Sequence, residues 1–515
     1  MLVKLNSAAV EGMQATPVTI EVNSSRGARF ALVGLPDNAV RESHERIMAA
    51  IQNSGYEFPT QQITINLAPA DIRKEGSAYD LPMAIGILAT KDLVQTRLFS
   101  RYMMLGELSL DGSILPIRGA LPIAIKAREL GYEGLIVPEA NVREAAVVNK
   151  LNVYGVRHMN QVLGHLNGTH PLEPEFVDTR AEFYAQQYDF DADFADVKGQ
   201  QQVKRAMEVA AAGGHNLIMI GPPGSGKSML AKRLPGILPP LSLQESLETT
   251  QIHSVAGRLP SQCSLIAQRP FRSPHHTISP VALVGGGQNP QPGEISLAHN
   301  GVLFLDELPE FQRTVLEVLR QPLEDRTINI NRAKYSISYP CSFMFIASMN
   351  PCPCGYYNHP TKACVCSPGQ IQRYLNRISG PLMDRIDLQC EIMPLNFEEI
   401  SQAAPGEPSA VIRDRVMKAR KIQEQRFIDV KGIHCNAQMN EKHLQTYCTL
   451  SADSQQLLRT AMERLQLSAR AYSRILKVAR TIADLEASEH IQSHHIAEAI
   501  GYRNLDREDW AERGK

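Results

Sequence analysis

The sequence predicts a multidomain α/β protein organised around a parallel sheet, with an α+β region in front of it and a helical region behind it. Two stretches carry most of that prediction. Gly221–Ser228 reads Gly-Pro-Pro-Gly-Ser-Gly-Lys-Ser and lies between the apolar run Leu217–Ile220 and Met229–Leu234, which can open a helix. That is the strand–loop–helix setting of a phosphate-binding loop. Gly301–Leu305 is an unbroken apolar run ending in Asp306-Glu307, as expected of a strand buried on both faces that delivers carboxylates at its carboxyl end.

The two stretches together specify nucleoside triphosphate hydrolysis. Gly221, Gly224 and Gly226 let the backbone of a loop completed by Pro222, Pro223 and Ser225 turn its N–H groups toward phosphates, and the following helix N-terminus adds partial positive charge. Lys227 is placed to bridge the β- and γ-phosphates and the Ser228 hydroxyl to hold Mg²⁺. Asp306 can complete the Mg²⁺ shell, and Glu307 can polarise the attacking water.

Length and composition set the frame. At 515 residues the chain is long enough for about three or four domains. A net charge of −1 gives no global nucleic-acid signature, so any such site must be local. No apolar run reaches about 18 residues, and the N-terminus lacks a basic region followed by a hydrophobic one. The expectation is a cytoplasmic protein without a membrane span. The nine cysteines are an odd number, and four crowd into Cys352–Cys366, which points to a local metal site in a reducing compartment rather than a disulfide framework.

In chain order, residues 1–165 alternate strands (Val18–Val22, Phe30–Val33, Ile63–Leu67) with an amphipathic helix over Asn38–Asn53. Gly106–Gly112, Leu115–Gly119 and Ile136–Asn141 resemble the proteolytic domain of Lon-type proteases. The resemblance implies a Ser–Lys dyad, but the position expected to hold lysine is Leu121, and Ser77 aligns poorly with the nucleophile, so a non-proteolytic scaffold or DNA-binding domain is expected. Residues 166–195 are rich in Pro and acidic residues and read as a linker. Residues 196–395 form the nucleotide-binding core, which helix Gly199–Gly213 opens. Between Lys227 and Asp306 the stretch Pro270–Ile295 reads as an inserted loop or hairpin rather than more sheet, and His275-His276 within it as bonded loop histidines more than metal ligands.

After Asp306-Glu307 come a helix over Arg313–Leu323 and a hairpin of Thr327–Ile330 and Tyr335–Tyr339 with a turn at Asn331–Lys334. Arg332 and Lys334 at that turn can touch a phosphate backbone in a ring's central channel, or can simply be solvated tip charges. Strand Ser342–Ser348 leads to Asn350, placed to orient the hydrolytic water. Cys352, Cys354, Cys364 and Cys366, in an insert spanning 350–368, can close a tetrahedral structural zinc site, the alternative being buried or redox-reactive thiols. Arg385, after a helix and before the last strand, is placed to reach a neighbouring subunit's nucleotide; an intrachain pair with Asp384 or Asp387 is the competing reading. Residues 396–515 are helical in pattern and form a lid, in which Arg470 is the chosen γ-phosphate sensor, with Arg474 and Arg480 on nearby turns.

With these residues in view the chain resembles the magnesium-chelatase-like AAA+ ATPases, and among them the YifB/ComM competence family. That resemblance implies ATP and Mg²⁺ as cofactors, a homohexameric ring with the active site between subunits, and nucleotide roles for Lys227, Ser228, Asp306, Glu307, Asn350, Arg385 and Arg470. It further implies branch migration on single-stranded and branched DNA during natural transformation, with other recombination proteins as partners. A chelatase-type motor remodelling a partner protein is the alternative.

Overall fold

The computed structural model describes residues 1–515 except 261–262, 288–289, 333–334, 395–405, 431 and 504–515. The chain divides into two compact units: Met1–Gln186 with Leu243–Ala267 and Pro290–Pro292, and Gln187–Ser242 with Gln268–Asn289 and Gly293–Lys515.

The first unit is built on a seven-stranded mixed sheet. Its strands are β1 (Leu2–Glu11), β2 (Gln14–Ser25), β3 (Phe30–Val33), β4 (Gln62–Ala68), β5 (Tyr102–Met104), β6 (Gly134–Pro138) and β7 (Asn152–Val156), in the order β3-β4-β2-β1-β5-β6-β7. β1 and β2 form an antiparallel hairpin, while β1, β5, β6 and β7 run parallel. Successive side chains point to opposite faces, so the sheet carries a core on each side. Leu5, Ile20, Ile65 and Met104 belong to one core, which includes helix Asp80–Ala89. Ala8, Met103, Leu135 and Val137 belong to the other, which includes helix Ala120–Glu129.

The expected helix over 38–53 is two helices, Asn38–Arg41 and Ser43–Asn53. Inside the 166–195 segment expected as a linker lies helix Thr179–Gln186, whose Phe183 is buried. The 243–267 segment was not expected to leave the nucleotide-binding core. Its helix Leu243–Val255 joins the first unit, with Leu247 against the second core and the Ser254 carbonyl accepting from Gly119 N–H at 3.1 Å.

The second unit holds a five-stranded, all-parallel sheet of β8 (Leu217–Ile220), β9 (Phe271–Arg272), β10 (Val302–Leu305), β13 (Met344–Met349) and β14 (Leu388–Glu391), in the order β9-β10-β13-β8-β14. The hairpin β11 (Thr327–Arg332) and β12 (Tyr335–Pro340) is a separate two-stranded element. The central strands are predominantly apolar and buried along their whole length, as expected of a parallel sheet covered on both faces. β9 corrects the reading of 270–295 as loop or hairpin only: Phe271-Arg272 is the sheet's edge strand. It escapes a periodicity test because it is two residues long, and Gly301 lets it come close, since a Cβ there would meet the Pro270 carbonyl oxygen at 2.1 Å.

The helix expected over 313–323 is broken into Arg313–Glu317 and Arg320–Asp325, with Pro322 lacking the N–H that would continue a single ladder. The hairpin strands run further than expected, so Asn331 and Arg332 belong to β11. Lys334 lies outside the described residues, and Arg332 is described by its backbone alone. Behind the sheet come helices Ser409–Arg426, Ala452–Leu465, Ala469–Leu485 and Ser493–Gly501, packed into one core with helix Gln201–Gly213.

Candidate functional site

β8 lies between β13 and β14, where the strand order reverses, and the site is assembled at the carboxyl ends of β8, β10 and β13, where open parallel sheets place ligands. Gly221–Gly226 leaves β8 and helix Lys227–Arg233 follows at once. Gly224 and Gly226 take positive φ of 78° and 88°, and a Cβ on Gly221 would strike the Ile392 carbonyl oxygen at 2.6 Å. The loop thus needs glycine for conformation at two positions and for room at the third.

Lys227 is buried, and its Nζ donates to the Gly221 carbonyl at 2.7 Å, the Pro222 carbonyl at 2.9 Å and Asn350 Oδ1 at 3.3 Å. Burial lowers its pKa, with Asp306 and Glu307 acting in the opposite sense. Ser228 Oγ donates to Asp306 Oδ2 at 2.5 Å, bringing together the hydroxyl and the carboxylate read as Mg²⁺ partners. Asp306 Oδ1 accepts from Ser348 Oγ and, at 3.1 Å, from the Glu307 N–H.

Glu307 stands in the left-handed region at φ 54°, an uncommon conformation for a residue with a side chain, and its side chain is exposed. The residues present fit MgATP: an ammonium and N–H donors for phosphate oxygens, a hydroxyl and a carboxylate for the cation, and a second carboxylate beside them. MgATP, when bound, supplies the phosphoryl group to be transferred to water. With it bound, the loop and Lys227 would hold the phosphates, Ser228 and Asp306 would hold the cation, and the Glu307 carboxylate would be placed to take a proton from water.

Sequence reasoning passed over Ser348, which sits in an apolar run. Its role follows only from the β10–β13 register, which pairs Leu305 with Ala347 and so sets Ser348 beside Asp306. Tyr374 was missed in the same way. Its side chain lies against the Asn350 backbone, and burial pushes its pKa up.

The arginines are held within the chain. Arg385 donates from Nη1 to the Pro381 carbonyl at 2.5 Å and from Nη2 to the Glu324 carboxylate; its side chain is 12% exposed. Its partner is therefore neither Asp384 nor Asp387. Asp384 pairs instead with Arg470 at 2.7 Å, and Asp387 with Arg474 at 2.7 Å. Asp387 is also within 3.3 Å of His215 Nδ1, whose Nε2 lies 2.8 Å from Thr481 Oγ1. Arg480 is committed to Asp484 and to the Ser488 and Glu489 carbonyls.

The four cysteines of the insert converge. Cys352 Sγ is 3.3 Å from Cys354 Sγ and 3.7 Å from Cys364 Sγ, Cys354 and Cys364 are 3.6 Å apart, and Cys366 completes a group whose sulfurs all lie within 4.8 Å of one another. Tetrahedral zinc with four thiolates at about 2.3 Å requires sulfurs about 3.8 Å apart. Backbone N–H groups of Tyr356 and Val365 point at Cys354. Burial opposes its ionisation, but these donors and the neighbouring thiols bring its pKa down to about 6. The donor set therefore fits a structural zinc ion.

The His275 and His276 rings lie with centroids 4.1 Å apart and planes tilted by 35°, and His276 meets Phe311 edge-on. Glu486, His494 and His495 also cluster. There His495 Nδ1 accepts the Gln492 N–H at 2.9 Å, which leaves its proton on the nitrogen facing Glu486 and makes the group a helix cap rather than a ligand set.

In the first unit Ser77 Oγ donates to the Glu107 carboxylate, and Leu121 is fully buried in the second core. Asn141 spends its amide on the Ile117 N–H at 2.9 Å and carbonyl at 2.8 Å.

Three family descriptions match the chain: "Subunit ChlI of Mg-chelatase" over residues 20–141, "Magnesium chelatase, subunit ChlI" over 193–400, and "Magnesium chelatase, subunit ChlI C-terminal" over 406–503. YifB of Salmonella typhimurium is 46% identical over 98% of this chain and 97% of its own. Competence protein ComM of Haemophilus influenzae is 45% identical over 97% of each chain. Lon protease 2 of Bacillus subtilis is 30% identical over 28% of this chain and 27% of its own. A phosphate loop, its paired carboxylates on a parallel sheet and a helical lid are thus joined to full-length likeness, and the chain belongs to the YifB/ComM family of magnesium-chelatase-like AAA+ ATPases.

Proposed function

We propose that the chain is an ATP-driven, homohexameric DNA motor of the cytoplasm, a branch-migration helicase that extends recombination intermediates during natural transformation alongside other recombination proteins. The observation that carries this reading is the 45% identity to a competence protein along 97% of both chains, together with a hydrolysis site in which Ser228 and Asp306 meet at 2.5 Å. In the ring, Arg385 and Arg470 exchange their in-chain carboxylates for nucleotide, and Arg332, which ends β11, tracks the phosphate backbone with Lys334, two residues on in sequence. Cys352, Cys354, Cys364 and Cys366 hold a structural zinc ion.

The test is ATP hydrolysis measured with and without single-stranded and forked DNA. Stimulation by forked DNA, and DNA binding that weakens with salt, are expected. A rate indifferent to DNA, with no salt-sensitive binding, overturns the reading. It would favour the second one, a chelatase-type motor remodelling a partner protein, which the three chelatase-subunit matches support.

A further inference from the structure

The four-cysteine centre and the phosphate loop are usually separate kinds of element, one structural and one functional. Here they touch. Cys354, Gly355 and Tyr356 form a knuckle: the Gly355 N–H returns to the Cys352 carbonyl at 3.0 Å, and the Tyr356 N–H is directed at the Cys354 sulfur. Gly355 has φ 84°, and a Cβ placed on it would lie 2.6 Å from Pro223 Cδ and 2.9 Å from Pro223 Cγ. The turn that wraps the sulfur is therefore in direct contact with the loop between Gly221 and Lys227.

A second arm closes on the same place. Cys366 is followed by Ser367, which caps helix Pro368–Leu375, and Tyr374 on that helix lies against the Asn350 backbone. Asn350 in turn reaches the Lys227 ammonium at 3.3 Å. Chain running from Asn350 through the cysteines and back to Tyr374 is thus tied at its base to the lysine of the phosphate loop, and the four sulfurs gather its outgoing and returning arms just beyond that base.

We infer that the four-cysteine centre is a positioning part of the nucleotide site: zinc gathered by Cys352, Cys354, Cys364 and Cys366 fixes Gly355 against Pro223 and Asn350 against Lys227. The inference rests on the ATP-site and zinc readings above and is independent of the DNA reading. Its chemistry is mechanical. A metal that draws four sulfurs into one tetrahedron removes the freedom of the segment between them, and the displacement that segment would otherwise undergo falls on the atoms that line the phosphates.

The experiment uses the full chain, a fluorescent ADP analogue as probe and elemental analysis for zinc. The purified parent is expected to carry about one zinc per chain and to bind the analogue. The double variant Cys364→Ser/Cys366→Ser should lose zinc and bind the analogue at least about tenfold more weakly, as expected when binding groups shift by about an ångström. Gly355→Ala keeps all four sulfurs but puts a methyl group into Pro223. It should retain zinc and still weaken the analogue by a similar factor.

Unchanged affinity in the zinc-free double variant, or in zinc-replete Gly355→Ala, overturns the inference. So does a parent chain without zinc. If the double variant fails to fold, Gly355→Ala decides alone. Failure of the DNA reading is told apart because it changes stimulation by DNA and leaves these affinities where they are.

Discussion

Glu307 and Ser348 show how much single residues decide in this site. Glu307 sits just after Asp306 in a left-handed conformation that leaves its side chain exposed, while its own N–H is committed to Asp306. Glu307→Gln keeps the shape and removes the base. ATP hydrolysis is expected to fall about 10²- to 10⁴-fold with nucleotide affinity retained, measured by turnover and by equilibrium binding of the fluorescent analogue. Ser348 acts one step back, by donating to Asp306. Ser348→Ala should raise the Mg²⁺ concentration needed for half-maximal hydrolysis by about tenfold while leaving the rate at saturating Mg²⁺ closer to normal. That Lys227, Ser228, Asp306 and Glu307 share one site was legible in the sequence, the first two because a phosphate loop needs fixed residue types at fixed spacing and the others because an unbroken apolar run ends in them. Ser348 and Tyr374 were not, because each gains its meaning from a strand or helix distant in sequence that only the fold brings alongside.

At the scale of elements, helix Ala469–Leu485 shares an apolar core with the sheet and is also tied by polar contacts to residues that lead into two of its strands. Arg474 pairs with Asp387 and Thr481 with His215, and Asp387 precedes β14 while His215 precedes β8. His215 has no exposed surface, so burial pulls its pKa below the ordinary histidine value even though Asp387 favours its charged form. The folded state then binds fewer protons than the unfolded one below about pH 6.5, so the contribution of this histidine is intact above that pH and is lost as pH falls through it.

Asp387 is also buried, which opposes its charge, but Arg474 and His215 outweigh this and hold it far below the usual carboxylate range; its share is lost only in strong acid. Thermal melting followed by circular dichroism from about pH 7 to about pH 5.5 should show a falling midpoint, and His215→Gln should flatten that fall. Strand and helix positions here were legible wherever an apolar run was long enough. Leu217–Ile220 was read to the residue, whereas two-residue β9 and the break before Pro322 follow from a neighbour's backbone and a missing N–H.

At the scale of the whole molecule the proposed ring makes a demand that no single chain meets. Arg385 is tied to Glu324 and Arg470 to Asp384, so each guanidinium must leave a carboxylate before it can serve a phosphate. Arg385→Ala is expected to lower the ATPase rate about 10³-fold or more if it works across a subunit boundary. Mixing Arg385→Ala chains with Lys227→Ala chains should then restore turnover, because an intact loop from one variant meets an intact arginine from the other. A mixture as inactive as its components would place Arg385 in its own chain's structure instead. Sequence spacing could put this arginine after a helix and before the last strand, but not choose Glu324 as its partner, since the two are far apart along the chain and meet only in the fold.

Helix Leu243–Val255 and the residues up to Ala267 belong to the first unit, although the chain enters and leaves them from the second. The two units therefore cannot be separated by one cut. A fragment beginning at Gln187 would keep the phosphate loop and both carboxylates and yet carry Leu247, Ser254 and their neighbours stripped of the surroundings that cover them, so it should come out of cells aggregated. Replacing 243–267 by a short polar connector in the same fragment should recover soluble protein. The same stitching means that a simple end deletion can neither remove nor exchange the front unit without stripping 243–267 of its surroundings.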